Sequence, residues 1–452
     1  MSQDRYDVIV VGAGVAGLSC AAELVLQGKR PLLVCETEEV AATVRSTPVG
    51  GCNAIVQQMW IGWARHMFSL AQRLNLPVKL WPGLGFGVRV QGRDMVRIPY
   101  CPGAAAFGEV IESAFGFPSP AVRADFERAL QAGIAIPRDE LMKMHRVPVA
   151  EWLAEQGTGP EAAGMLMWAF GTLGGLSPAE VAQHESVFGA FANYSLLSGE
   201  AIVVIAEPGL REGWAIPVAE AVAARGGEVW KGTKVDRVLI ENDRAVGVVM
   251  ADGREARADK VALAVSDARI PKILDAVPES VQAAIDYSEG FDHQEFDVFT
   301  VLGKPVVPDE VSRWYSGYMS ETGEPLVWTW PLHAAAPWTT APGKQLLVSE
   351  RLFSNKAEVE AAGGQAGIEA DIHRYNEELF PGYTDAMEET VTIRHRQLWM
   401  VPLAVGPKMP RRPDGVENLW FVSNSSTPLT EVYLEGAACA GMLGAREMIA
   451  AG

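Results

Sequence analysis

The sequence predicts an α/β fold in which one domain, built on a parallel sheet, is assembled from separate stretches of chain and interleaved with an α+β domain. Three observations predict it. A strand–helix–strand unit opens the chain, a block of short apolar strands fills residues 214–265, and a strand followed by a small-residue helix closes it at 418–450. Long segments of helical and then mixed character separate these pieces, so the chain returns twice to the first domain.

The chain has 452 residues, room for up to about three domains. Hydrophobic residues make up 48% and charged residues 21%, the balance of a folded protein with a core of its own. With 38 basic and 56 acidic side chains the net charge is −18, and the pI is near 4.9. That argues against nucleic acid as a partner, which calls for a basic face, and against attraction to anionic lipid by charge alone. Cys20, Cys35, Cys52, Cys101 and Cys439 are odd in number and form no CxxC pair, which fits a reducing compartment better than a disulfide framework or zinc ribbon. Acids stand where a secretory signal needs a basic flank, and the longest uncharged stretch, between Glu161 and Glu180, is broken by glycines and Pro178. A cytoplasmic protein with no transmembrane segment is expected, and peripheral membrane contact stays open.

In chain order, Tyr6–Val11 (YDVIVV) reads as a buried parallel strand, Val15–Gln27 as a small-residue helix and Pro31–Cys35 as a second strand. Residues from about 55 to 200 mostly show helical periodicity, with helices expected over Trp60–Leu74 and Ala121–Ala132. A helix near Pro217–Arg225 leads into strands around Val229, at Val235–Ile240, Ala245–Met250 and Lys260–Val265. Asp252-Gly253 between apolar runs is a hairpin signal. Phe296–Leu302, Leu326–Trp330 and Gln345–Ser349 look like strands and Asn355–Glu378 like one charged helix, before the strand Asn418–Ser423 and the helix Glu435–Ala450.

The chemistry begins at Gly12-Ala13-Gly14-Val15-Ala16-Gly17, a GxGxxG run directly after a strand and opening a helix. Gly12 permits a tight turn, Gly14 lets backbone approach a pyrophosphate, and Gly17 lets helix and strand pack closely. The helix start then offers unpaired N–H groups and a positive dipole to phosphate. Glu36 follows 19 residues after Gly17, at the end of the second strand, where a carboxylate accepts hydrogen bonds from ribose hydroxyls. A Rossmann-like dinucleotide domain follows, holding either FAD or NAD on this evidence alone.

Three segments, in order, resemble the FAD-dependent amine oxidase and phytoene desaturase superfamily of flavoproteins with a GR2-type fold. The first is the unit just described. Where that family has Gly-Gly-Arg/Lys-x-x-Ser/Thr after the acid, this chain has Ala41-Ala42-Thr43-Val44-Arg45-Ser46, and Arg45 is the contact expected to survive. The second runs from Gly213-Trp214-Ala215-Ile216-Pro217 to Asp267 and implies that the backbone at Val235 meets the adenine. The third is Gly415–Asn424 followed by Leu434-Glu435-Gly436-Ala437. There the family's Gly-Asp becomes Ser423-Asn424, so Asn424 would bond a ribityl hydroxyl or phosphate through a neutral amide. The turn at Leu434, Glu435, Gly436 and Ala437 would aim a helix start at the flavin, its dipole favouring the negative charge of the reduced ring.

The resemblance implies FAD as cofactor, a Rossmann-like FAD-binding domain of GR2 type in segments 1–58, 206–285 and 406–452, and an α+β substrate-binding domain in 59–205 and 286–405. It implies an FAD-dependent oxidoreductase that takes a hydride from an apolar or cyclic small molecule, as a phytoene-desaturase-like dehydrogenase does, with O2 or a quinone-like acceptor reoxidising the flavin. A flavin amine oxidase, a redox-neutral flavin isomerase and a non-catalytic flavin-binding escort protein are the alternatives. No second GxGxxG appears, so a dedicated NAD(P)H domain is not expected. The seven histidines show no metal-ligand spacing. Tyr433, just before the flavin-edge turn, and His333 are the weak catalytic candidates. Trp328 and Trp330 share one strand face beside His333, and Met165–Phe170 form an apolar segment suited to a core or an adaptable cavity wall.

Overall fold

The computed structural model describes residues 5–55, 65–82, 85–99, 108–109, 111–113, 115–172, 177–195, 204–308, 314–321, 324–396, 404–426 and 433–451. Two seven-stranded sheets organise them. In the first, Tyr6–Val11 lies parallel to Pro31–Val34 on one side and to Glu255–Leu263 on the other. Glu228–Trp230 adds beside Pro31–Val34, and Leu419–Phe421 beside the end of Glu255–Leu263, both parallel. A strand covered on both faces must be apolar at every position, and Val8, Ile9, Val10 and Val11 are all buried. The beginning, middle and end of the chain thus meet in one sheet.

Arg244–Met250 and Val235–Glu241 continue that sheet as antiparallel strands. The Asp252-Gly253 turn closes one hairpin, with Gly253 at φ +86°. The other turns at Asn242-Asp243, which sit at φ 50° and 59°, left-handed values that these two residue types tolerate best after glycine. Helices Val15–Leu26, Ile216–Ala224 and Tyr433–Ala450 cover one face of the sheet. The helix Glu279–Glu289 and the antiparallel strands cover the other.

The second sheet runs in the order Met387–Arg396, Gln294–Leu302, Gln345–Phe353, Pro325–Pro331, Trp314–Met319, Gly85–Val90, Val96–Pro99. On one face Phe299, Val301, Trp328, Trp330 and Val348 pack against helices between Pro120 and Ser195. On the other, Phe296, Val298 and Leu347 meet the helix Gly364–Leu379.

Several elements differ from expectation. The charged helix is two, Lys356–Ala361 and Gly364–Leu379, because Gly363 and Gly364 sit at φ +83° and +66°, where a right-handed helix cannot continue. Lys79–Pro82, Gly85–Val90 and Val96–Pro99 are strands inside the stretch read as mostly helical. Gly85–Val90 is held by parallel pairing with Trp314–Met319, a partner more than two hundred residues away that local periodicity does not reveal. Of the helix expected over Trp60–Leu74, Arg65–Arg73 is observed, and residues 60–64 lie outside the described residues, as does Cys101.

The helices Val15–Leu26 and Tyr433–Ala450 approach backbone to backbone. A Cβ at Gly441 would lie 2.1 Å from the Ala16 carbonyl oxygen and 2.8 Å from the Cys20 nitrogen. Beside this seam the fully buried Glu23 carboxylate bonds Arg73 at 2.5 Å and Arg446 at 3.1 Å. Burial by itself would raise the Glu23 pKa, but hydrogen bonds from the two guanidinium groups outweigh it and hold the carboxyl below its usual range. Three helices are thereby clamped together. Because the two nearest atoms facing Gly441 are main-chain, Gly441→Ala should cost about 1–3 kcal/mol of stability, seen as a lower urea midpoint with an unchanged slope.

Candidate functional site

The tight turn after the first strand shows why three glycines are needed. Gly12 has φ +103°, and a Cβ there would lie 2.3 Å from the Ala264 carbonyl oxygen. A Cβ at Gly17 would lie 1.8 Å from the Gly12 carbonyl oxygen. Gly14 is the opposite case, since nothing lies within 4 Å of the place its Cβ would take. It is the N-cap of the helix Val15–Leu26, with no side-chain cap and no acid in the first turn. The first amides of that helix, which have no carbonyl partner within it, therefore start at an open space.

That space is a cavity of about 250 Å³. Gly14, Val15 and Ala16 form one part of its wall, Ala41, Thr43 and Val44 another, and Ala264–Asp267 a third. Ser423, Asn424 and Ser425, with Leu434 and Ala437 from the last helix, complete it. The Ser423 hydroxyl is buried with no hydrogen-bond partner among the described residues. An uncapped helix start, an open Gly14 and an orphaned hydroxyl around one cavity fit a phosphate-bearing dinucleotide, which brings the missing acceptors.

Of the residues singled out in the sequence, Gly14, Val15, Ala16, Asn424, Leu434 and Ala437 line this cavity, and Gly12, Ala13 and Gly17 build the turn behind it. Glu36 and Val235 are not among the wall residues, but the chain before each is linked outside the cavity. The Thr233 N–H donates to the Cys35 carbonyl at 2.8 Å, which brings the start of the strand Val235–Glu241 beside Glu36. The Glu36 carboxylate is half exposed and 3.5 Å from the Arg269 guanidinium.

Other candidates are placed elsewhere. Arg45 is exposed and outside the wall, whose nearest members are Thr43 and Val44. Glu435 is buried, and its two oxygens accept from the His66 and Met67 amides at 2.8 and 3.1 Å. Its side chain thus caps the start of the helix Arg65–Arg73, and Gly436 is buried in the last helix. His333 is held by Gln345, whose amide nitrogen lies 3.2 Å from Nε2, and it is not part of the cavity wall. The Tyr433 side chain lies outside the described residues. Sequence reading passed over Thr43, Val44 and the run Ala264–Asp267 as wall residues. The signal for the run was the position of Asp267 just past a parallel strand, on the ligand side of such a sheet.

The loop that replaces the glycine pair docks on the fingerprint, with the Ala41 amide donating to the Ala13 carbonyl at 2.9 Å. Arg211, from a π-helical turn at Arg211–Ala215, pairs with Glu39 and anchors the loop from below. Ala41 sits at φ +49° and is buried, a left-handed conformation that disfavours any residue with a Cβ.

Sheet topology, fingerprint and cavity together define a dinucleotide-binding oxidoreductase fold. Residues 15–304 match the profile of the family described as flavin containing amine oxidoreductase, and the chain belongs to that family. It is an FAD-dependent oxidoreductase. Among solved structures, an oxidoreductase from Methanosarcina mazei is similar at 18% identity and a TM-score of 0.73, over 97% of this chain and 99% of that one. Cyclohexylamine oxidase from Brevibacterium oxydans aligns at 18% identity and a TM-score of 0.69, over 99% of both chains. A putrescine oxidase bound to putrescine aligns at 17% identity and a TM-score of 0.67, again over 99% of both. No match is found among curated proteins.

The strain at Ala41 is testable. Ala41→Gly should keep FAD bound and raise stability by up to about 1 kcal/mol, measured as an increase in the urea midpoint.

Proposed function

We propose that this protein takes a hydride from an apolar or cyclic small molecule, in the manner of a phytoene-desaturase-like dehydrogenase. FAD, when bound, would supply the hydride acceptor, with O2 or a quinone-like compound as the final acceptor. The observation that carries the reading is the shared cavity of the uncapped helix at Gly14, the amide at Asn424 and the start of the last helix at Leu434 and Ala437. In this reading the first amides of Val15–Leu26 hold the diphosphate, and Glu36 and the Val235 backbone hold the adenosine end. The start of the last helix favours negative charge on the ring. The division of the chain into the segments ending at 58, 205, 285 and 405 is part of the same proposal.

The apolar face of the second sheet supports an apolar substrate. Trp328 and Trp330 are buried there with Phe299 and Val348, under helices that include Leu166 and Phe170. These side chains exclude water and orient by shape.

A second reading, amine oxidation, has its own support. On the same face the carboxylates of Glu295, Asp297 and Glu350 come within 4.8 Å of one another, with His395 Nε2 3.0 Å from Asp297. A group of acids suits a cationic amine better than a hydrocarbon. The relatives named above as cyclohexylamine and putrescine oxidases are compatible with it.

An anaerobic substrate panel separates these readings. An apolar polyene or cyclic compound should bleach the visible absorbance of the bound flavin, while simple amines should leave it unchanged. Bleaching by amines alone would favour the second reading, and turnover with the flavin staying oxidised would point to redox-neutral isomerisation. Independently, Glu36→Ala should weaken FAD binding about tenfold or more through the lost ribose hydrogen bonds, seen as flavin loss on gel filtration. Full retention would remove Glu36 from the site.

A further inference from the structure

Glu295 and Asp297, on the strand Gln294–Leu302, share a sheet face with Glu350 and His395 from the strands on either side. Asp297 lies directly opposite Glu350, and Glu295 directly opposite His395, so the four side chains rise from neighbouring positions. Each of the three carboxylates has an oxygen within 4.8 Å of the others. Asp297 is only 3% exposed, while Glu295 and Glu350 are half-buried. Its Oδ2 lies 3.0 Å from His395 Nε2, and its buried Oδ1 has no hydrogen-bond partner among the described residues. Strand alternation turns the arginines of the same three strands to the other face, Arg351 and Arg394 opposite Phe296 and Arg396 opposite Gln294. Arg351 pairs with Asp371 at 2.8 Å, Arg394 donates to Gln294 at 3.0 Å, and Arg396 lies 3.5 Å from Asp292.

We propose that Asp297, Glu295 and Glu350 hold a divalent cation through their carboxylate oxygens, with His395 fixing the Asp297 carboxyl. Carboxylates this close repel one another, and a buried oxygen left bare is costly unless a cation meets it. Oxygens about 2.0–2.6 Å from one ion lie no more than about 5.2 Å apart, so a single ion can reach all three. His395 occupies one oxygen of Asp297 and leaves the other to the ion, the way a neighbouring hydrogen bond orients a metal-binding carboxylate. Oxygen ligands select a hard ion, Mg2+, Mn2+ or Ca2+. The same oxygens suit the ammonium group of an amine, but a central acid this deeply buried favours a compact ion over a group that brings a carbon skeleton with it. The cation site stands apart from the reaction proposed above, and it would withdraw the support that these acids lend to amine oxidation.

The test adds Mn2+ to the purified holoprotein and counts bound ions by the loss of the free-ion electron paramagnetic resonance signal. One Mn2+ per chain should bind and be displaced by excess Mg2+ or Ca2+. Asp297→Asn should weaken binding about tenfold or more, and Asp371→Asn, which alters an acid on the other face of the sheet, should bind as the parent does. No bound ion at about 1 mM Mn2+, the weak end for carboxylate sites, overturns the proposal. Parent-like binding by Asp297→Asn places the ion elsewhere, on a cofactor diphosphate for example, and also overturns it. Equal weakening by Asp297→Asn and Asp371→Asn reduces the effect to general charge and does the same. Should Asp297→Asn not fold, Glu350→Gln, at a half-buried position, gives the same readout with the same expected loss. An alkylammonium ion that binds through Asp297 in a protein that takes no Mn2+ assigns the acids to an amine and overturns the cation site.

Discussion

The site depends on backbone meeting backbone. The helix Val15–Leu26 can begin where it does because Gly17 lets it touch the Gly12 carbonyl, and because Gly441 lets the last helix close on Ala16 and Cys20. Each contact is shorter than any Cβ would allow. The seam joins a helix from the start of the chain to one from its end, so the cavity is complete only when the whole first domain has assembled. Glu23, gripped by Arg73 and Arg446, adds a third helix to the same junction. Taking those two arginines from a buried carboxylate would leave an uncompensated charge, so the clamp works chiefly as a constraint on how the helices can sit.

Much of this was legible in the sequence because it is local. The fingerprint, the strand before it and the helix after it lie within thirty residues, and Gly12 and Gly17 each have a separate steric reason that motif reasoning states in advance. The Asp252-Gly253 hairpin was readable for the same reason. What escaped was non-local. Gly85–Val90 is a strand because Trp314–Met319 lies beside it, and its six residues carry too little pattern to outvote the helices around them. The split at Gly363-Gly364 was overlooked although its signal, two adjacent glycines, was plain.

Site residues divide along the same line. Main-chain roles at Gly12 and Gly17 could be assigned from residue type, since a Cβ at either would collide with a carbonyl oxygen. Side-chain roles could not. Glu435 falls in a motif whose resemblance implies a place next to the flavin, yet its carboxylate serves the His66 and Met67 amides on another helix. His333 was attractive as a titratable group beside two tryptophans, yet it meets Gln345 and is not one of the wall residues. A motif fixes the path of the backbone more firmly than the direction in which a side chain points.

The charge of the chain sharpens the question of how it holds an anion. At −18 the protein as a whole repels a diphosphate, and among the described residues neither lysine nor arginine belongs to the cavity wall. In the proposed reading the attraction comes from dipoles at short range, namely the first amides of Val15–Leu26, the Ser423 hydroxyl and the Asn424 amide. Dipoles are strongest where water is excluded, which is why a wall of alanine, valine, glycine and leucine suits this purpose.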